Sequence, residues 1–170
     1  MLREFFVDDK SILNLEVGAG CGNFGKIFFS ECYLTDLDKE LKKTCANCSI
    51  DYFCDVHKLP WTNDRFDHVI MCNPYGYGFD DEIQSQILIQ ELVRVSKDNG
   101  KLIILCHHTN KYCSPTRVNR RLQNFTSNSV VLSMQEDTID CATEYTGYLF
   151  RTSTGIETKP NRRITIHVTK

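Results

Sequence analysis

Short apolar runs that end in turn residues alternate along this chain with segments whose apolar residues recur at helical spacing. Residues 11–17 (SILNLEV) form an apolar run that stops in glycines, the pattern of a buried strand. Phe24, Ile27 and Phe28 then fall on one helical face. Residues 32–36 read as a second strand, the lysine-rich stretch from Asp38 to about Cys48 as a helix, and residues 50–54 as a third strand. Residues 66–72 are the fourth strand. The next helix, 80–95, has Asp80, Asp81 and Glu82 on its first turn, where the helix dipole favours negative charge. Ile83, Ile87, Leu88, Leu92 and Val95 form its apolar stripe, and Asn99-Gly100 is expected to stop it. Residues 101–106 (KLIILC) are the fifth strand.

The order β-α-β-α-β followed by β-α-β predicts an α/β fold with a mainly parallel sheet and helices on both faces, a Rossmann-like three-layer sandwich. Beyond residue 110 the rhythm changes. A helix over 114–125 is followed by β-rich stretches at 129–134, 145–151 and 163–168, which suit antiparallel strands at the C-terminal edge of the sheet. The length of 170 residues fits one domain spanning 1–170, and 41% apolar with 25% charged residues is ordinary for a globular protein.

Charge is uneven. Residues 1–110 hold 11 Lys+Arg against 17 Asp+Glu, and residues 111–170 hold 9 against 5. Arg117, Arg120 and Arg121, and again Lys159, Arg162 and Arg163, could meet an anionic partner, although a solvated face is the plainer reading. Nine cysteines, an odd number with several inside apolar runs, suggest free thiols in a reducing cytoplasm rather than a disulfide framework. No apolar run is long enough for a membrane span, and the opening residues lack the pattern of a secretory leader. A cytoplasmic monomer or homodimer without membrane contact is expected.

The chemistry is concentrated in Glu16-Val17-Gly18-Ala19-Gly20-Cys21-Gly22, between the first strand and first helix. Its G-x-G-x-G spacing does not fit the G-x-G-x-x-G of dinucleotide binders. An acid follows on the second strand (Asp36). Then come Asp55-Val56-His57-Lys58-Leu59-Pro60-Trp61, Phe66-Asp67 at the start of the fourth strand, and Glu91 to Leu102 leading into the fifth, with Asp98-Asn99-Gly100 as the turn. In this order the landmarks resemble class I S-adenosylmethionine-dependent methyltransferases over about residues 11–106.

That resemblance implies S-adenosylmethionine as cofactor and assigns roles. Glu16 would face the cofactor's amino group, directly or through water. Gly18 and Gly20 would let it approach the backbone, and Asp36 would hold the ribose hydroxyls, with Asp38 as the competing acid. Asp55 would accept from the adenine amino group, Val56 would offer its amide to the ring, and Leu37 would cover one adenine face. A related enzyme on the same fold, such as an aminopropyl transferase or a nucleotide-dependent oxidoreductase, is a more distant reading.

Cys72-Asn73-Pro74-Tyr75-Gly76 closes the fourth strand. It resembles the Asn-Pro-Pro-Tyr motif of methyltransferases acting on planar nitrogens, one proline short. The resemblance implies Asn73, Pro74 and Tyr75 as the catalytic set, with Asn73 also beside the cofactor. Alternatively Cys72 holds the Asn position, or the motif is only a strand-to-loop turn. His107 and His108 follow the fifth strand, where one could serve as a base, and His57 could cap the cofactor. Cys45-x-x-Cys48 with Cys54 and His57 has metal-ligand types, but one pair without a second knuckle argues against zinc, and no metal is expected.

No insertion interrupts the core, which predicts an open site. The aromatic loop Tyr75-Gly76-Tyr77-Gly78-Phe79 and the 107–125 segment would hold the acceptor, with the arginines of that segment at the rim. The acceptor is expected to be a nitrogen on a planar or nucleic-acid molecule. The rivals are a small metabolite, or a fold that binds cofactor without catalysis.

Overall fold

The computed structural model describes residues 12–151 and 156–170. Five strands run parallel: β1 (Asn14–Val17), β2 (Cys32–Asp36), β3 (Tyr52–Phe53), β4 (Phe66–Cys72) and β5 (Ser96–Cys106). Later come β6 (Val131–Thr138), β7 (Phe150–Arg151), β8 (Glu157–Thr158) and β9 (Arg162–Thr169). The main sheet has the order β3-β2-β1-β4-β5-β9-β6, and β7 pairs with β8 apart from it. Strand β9 is antiparallel to both β5 and β6, so β6 at the edge points the same way as β5. The α/β architecture expected from the alternation is therefore present, with one reversed strand set inside the C-terminal edge. Ser11 and the N-terminal stretch read for a leader lie outside the described residues.

Helices α1 (Phe24–Phe28), α2 (Leu41–Thr44), α3 (Glu82–Val95), α4 (Pro115–Gln123) and α5 (Cys141–Glu144) complete the chain. Strand β1 is buried along its whole length and β4 along much of it, because parallel strands covered on two faces need continuous apolar runs. The buried stripe of α3 (Leu88, Ile89, Leu92, Val95) joins Val69, Met71, Leu102 and Ile104 in one core cluster. Phe24, Leu34, Ile70 and Leu105 belong to a second cluster, which takes in Ile139 and Phe150 from the C-terminal part.

Several elements differ from their sequence expectation. The second helix is one turn, Leu41–Thr44, where 38–48 was expected; it buries no side chain, so tertiary packing adds nothing to its length. Helix α3 ends at Val95 as expected, but Asn99-Gly100 is not its stop: Ser96 is already extended, and β5 begins there rather than at Lys101. The pairing of β4 with β5 jumps from Phe66↔Ser96 to His68↔Lys101, so 97–100 bulge out, with Asn99 left-handed at φ 60°. Strand β7 covers only Phe150–Arg151 of the expected 145–151.

Two of the sequence landmarks meet in space. Leu59 N–H donates to Glu91 Oε1 at 2.6 Å, and Arg94 donates to the carbonyls of Leu59 (3.1 Å) and Trp61 (2.7 Å). The Leu-Pro-Trp turn is thereby fastened to α3. The loops after β1, β2, β3, β4 and β5 all lie at the carboxyl edge of the parallel strands, where open α/β sheets place their ligands.

Candidate active site

Gly18 (φ 64°) and Gly20 (φ 59°) are both left-handed, a conformation glycine adopts without steric cost. A Cβ on Gly20 would meet nothing within 4 Å, so this side of the loop is open. The loop is held from below: Ala19 N–H donates to the Thr35 carbonyl at 3.0 Å and Gly20 N–H to Asp36 Oδ2 at 2.9 Å. Asp38 instead accepts from Glu40 N–H in its own turn. Of the two competing acids, Asp36 is the one on the glycine loop. Leu37 lies beyond it, 68% exposed.

Glu16 is buried, and its Oε2 accepts from Gly25 N–H at 2.6 Å. A Cβ on Gly25 would come within 2.9 Å of that same oxygen, which explains a glycine inside α1. Burial raises the Glu16 pKa to about 7, and burial likewise pushes the adjacent Cys72 thiol well above its usual range. The carboxylate thus holds the first turn of α1 rather than opening to the cleft.

Asp55 is half exposed after β3; its Oδ1 accepts from the backbone N–H of His57 and lies 2.8 Å from the His57 ring Nδ1. These hydrogen bonds, the backbone one first, hold the Asp55 carboxyl below its ordinary value. His57 Nε2 is the one buried side-chain polar atom without a partner among the described residues. It lies 3.4 Å from where a Cβ on Gly78 would stand. Val56 is half-buried against the main core.

Asn73 is left-handed (φ 49°), and its N–H donates to the Leu105 carbonyl at 2.6 Å, fixing the turn to β5. Two acceptors, Asn73 Oδ1 and the Pro74 carbonyl, converge on one donor: Asn110 Nδ2 lies 3.0 Å from each. Tyr75 is 67% exposed, its ring edge-on to Tyr112 with centroids 4.5 Å apart. Asn73, Tyr75, His107, Asn110, Tyr112 and Thr158 are among the walls of a recess of about 310 Å³. His107 Nδ1 is 2.7 Å from Thr109 Oγ1, while His108 is taken up by Asn161 at 2.8 Å.

The site is more covered than expected. Within the connection from β6 to β9, residues 139–151 cross to the glycine loop: Asn23 N–H donates to the Tyr148 hydroxyl at 3.2 Å, and Tyr145, Tyr148 and Phe150 stack around Phe24. A second recess of about 460 Å³ lies within this cover and shares His107 and Thr158 with the first. Of the expected cationic rim, Arg117 and Arg120 stay at the surface, while Arg121 is spent on the fold. Arg121 is buried on the Phe79 and Asp80 carbonyls and pairs with Glu82 at 3.3 Å. Arg162 pairs with Glu136 at 2.8 Å, and Arg163 with Asp137 at 3.4 Å and Glu144 at 2.8 Å.

The cysteine reading also changes. Cys21 in the glycine loop and Cys45 after α2 form a disulfide, Cα–Cα 5.7 Å, and the other seven cysteines are free. The expectation of nine free thiols is corrected, and Cys45 is removed from any ligand set with Cys48. Among the described residues no three His, Cys, Asp or Glu side chains are grouped to hold a metal.

The predicted positions Glu16, Gly18, Gly20, Asp36, Leu37, Asp55, Val56, Asn73, Pro74 and Tyr75 all lie on the loops and strand ends of this one edge. Glu16 and Pro74 are sealed beneath the surface. Sequence reasoning missed Asn110, Tyr112 and Tyr148. Their only signal was position, since each follows a strand or precedes a short strand without any motif.

Residues 15–104 match the methyltransferase-domain family, more than half of the chain. A comparison with curated protein sequences finds no match. Among solved structures, a protein from Pyrococcus horikoshii is similar at 14% identity and TM-score 0.60, covering 96% of this chain and 84% of that one. A S-adenosylmethionine-dependent methyltransferase from Methanosarcina mazei is similar at 13% identity and TM-score 0.56, over 94% and 93% of the two chains. A Haloferax volcanii methyltransferase, solved in complex with the activator Trm112, is similar at 14% identity and TM-score 0.57, over 94% and 82%. At these identities the structures show the shared fold. No helix among the described residues is long and apolar enough to cross a membrane.

Proposed function

The chain belongs to the methyltransferase-domain family, with S-adenosylmethionine as cofactor, and on that premise we propose that it methylates a nitrogen carried by a small planar acceptor. The observation that carries the acceptor reading is the pair Asn73 Oδ1 and Pro74 carbonyl, both 3.0 Å from one NH2 group. Two acceptors aimed at one nitrogen hold an amine by its N–H bonds and leave its lone pair direction fixed, the orientation that direct transfer requires. The missing proline of the motif does not undo this pair.

The residues present fit the cofactor. Gly20 opens onto free space and Asp36 stands beside it, in place for ribose hydroxyls. Asp55 is half exposed, in place for an adenine amine, and Val56 and Leu37 flank it. When bound, the cofactor supplies an electrophilic methyl group on a sulfonium. Asn73 and Pro74 orient the acceptor nitrogen, Tyr75 and Tyr112 face its plane, and His107, on the wall of the same recess, takes the proton that the nitrogen loses. Glu16 acts at one remove by fixing α1 and the glycine loop.

The cover built by 139–151 and 156–161 supports a small acceptor over a long nucleic-acid strand, and Arg121, Arg162 and Arg163 are each paired with a carboxylate of the fold. A second reading, cofactor binding without catalysis, is favoured by the motif itself, in which Asn73-Pro74-Tyr75 lacks one proline of the Asn-Pro-Pro-Tyr pattern. The test is titration with S-adenosylhomocysteine, followed by transfer of labelled methyl groups to cytidine, adenosine and amide-bearing small molecules. Binding with transfer supports the enzyme. Binding without transfer to any nitrogen acceptor supports the second reading, and no binding by folded protein defeats both.

A further inference from the structure

Asn110 occupies the place that this reading gives to the acceptor. It lies between β5 and α4, and its Oδ1 accepts from Tyr112 N–H at 3.0 Å, capping the single 3-10 turn Lys111–Cys113. Capping needs only an oxygen, and Asp, Ser or Thr caps as well as Asn. The other half of the carboxamide is not explained by the cap. Its nitrogen has two N–H bonds and lies 3.0 Å from each of two oxygens, Asn73 Oδ1 and the Pro74 carbonyl.

The backbone that carries those two oxygens is held in place: Asn73 N–H is fixed to the Leu105 carbonyl and Pro74 is buried. The loop bearing Asn110 is the adaptable partner: its neighbours Thr109 and Lys111 are exposed, and the recess opens beside it.

We propose that the Asn110 carboxamide is an internal competitor for the acceptor nitrogen, which must displace it from Asn73 and Pro74 to bind. The proposal rests on the amine reading of that pair. It makes Asn110 a selectivity residue: only a ligand with N–H bonds of its own replaces what is lost, so a fully methylated nitrogen is rejected before it reaches the cofactor. A site open a tenth of the time weakens apparent affinity tenfold, so removing the competitor should tighten binding by about that factor.

The probe is cytidine, titrated into protein saturated with S-adenosylhomocysteine, with the analogue whose exocyclic nitrogen carries two methyl groups as control. Asn110→Ser keeps a capping oxygen and removes the competing NH2. The expected result is cytidine binding about tenfold tighter than to the unaltered chain, with the dimethyl analogue unchanged. Equal or weaker cytidine binding by a folded Asn110→Ser chain overturns the proposal and leaves the amine reading standing. Failure of both chains to bind any primary amine sinks both. Should the variant not fold, the side-chain amide signals of Asn110 in the unaltered chain decide. They must move toward a solvent-exposed position when cytidine saturates, and signals that stay in place overturn the proposal.

Discussion

The Tyr77 hydroxyl lies 3.0 Å from the point where a Cβ on Gly18 would stand, and it reaches toward the Val17 carbonyl at 3.5 Å. Tyr77 sits between two glycines of positive φ, Gly76 (72°) and Gly78 (124°), and its ring packs against the main core. Its ring therefore covers the strand-to-helix turn that the cofactor's methionine end must approach. Tyr77→Ala is expected to bind S-adenosylhomocysteine roughly five- to tenfold tighter, as removal of a competing state does. Weaker binding would make the ring a wall of the site instead of its cover. Calorimetric titration of the two chains separates these outcomes.

Glu16 gives the fold a pH dependence. Its pKa of about 7 in the folded chain lies above the ordinary 4.5, so the folded chain holds the proton more tightly. The stabilisation is complete below pH 4.5 and is lost as pH rises through about 7. A shift of this size corresponds to about 3 kcal/mol. Glu16→Gln should remove that dependence: the difference in urea stability between the two chains should change by about this amount from pH 4 to pH 8. A parallel pH profile for both chains would show that Glu16 ionises without cost.

Cys21 and Cys45 tie the glycine loop to the segment after α2, closing a sequence separation of 24 residues. Cross-links over loops of this size stabilise by about 3 kcal/mol. Reduction with a dithiol, or Cys45→Ser, should lower the unfolding midpoint and loosen S-adenosylhomocysteine, because Gly18 and Gly20 lose a restraint on the same loop. Thiol titration of the denatured, unreduced chain should find seven thiols rather than nine. Nine reactive thiols without reductant would dismiss the cross-link.

The parts legible in the sequence were those whose reasons are local. The buried runs of β1, β4 and β5 announce themselves by period, as do Leu88, Leu92 and Val95 of α3, although Ile83 and Ile87 of the expected stripe are exposed. What escaped depends on partners distant in sequence. The end of α3 at Val95 was legible, but the start of β5 at Ser96 was not, because it pairs there with Phe66 of β4, and Asn99-Gly100 serves a bulge instead of a cap. The short loop of Asn110 meets Asn73 across 37 residues, and Tyr148 meets Asn23 across 125. The cover over the site is made of strands and turns too short to show a pattern, so an open cleft was the natural expectation. Arg121, Arg162 and Arg163 looked free for the same reason, since their carboxylate partners lie on other strands and helices.

Tyr75 carries the last prediction. Its ring is 67% exposed, unusual for a large aromatic beside a buried proline, and its one aromatic neighbour in the recess, Tyr112, meets it edge-on at 4.5 Å. The exposed face buries nothing in the fold, so truncation should change stability by less than about 1 kcal/mol. Stacking of a planar ligand on such a face contributes about 1 to 3 kcal/mol per ring. Tyr75→Ala should therefore raise the acceptor KM at least fivefold while S-adenosylhomocysteine affinity, which the proposed reading gives to the Gly18, Asp36 and Asp55 loops, stays within twofold. Tyr75→Phe keeps the face and should behave like the unaltered chain. If Tyr75→Ala leaves KM unchanged for every acceptor, the plane of the acceptor rests elsewhere, and Tyr112 becomes the ring to test.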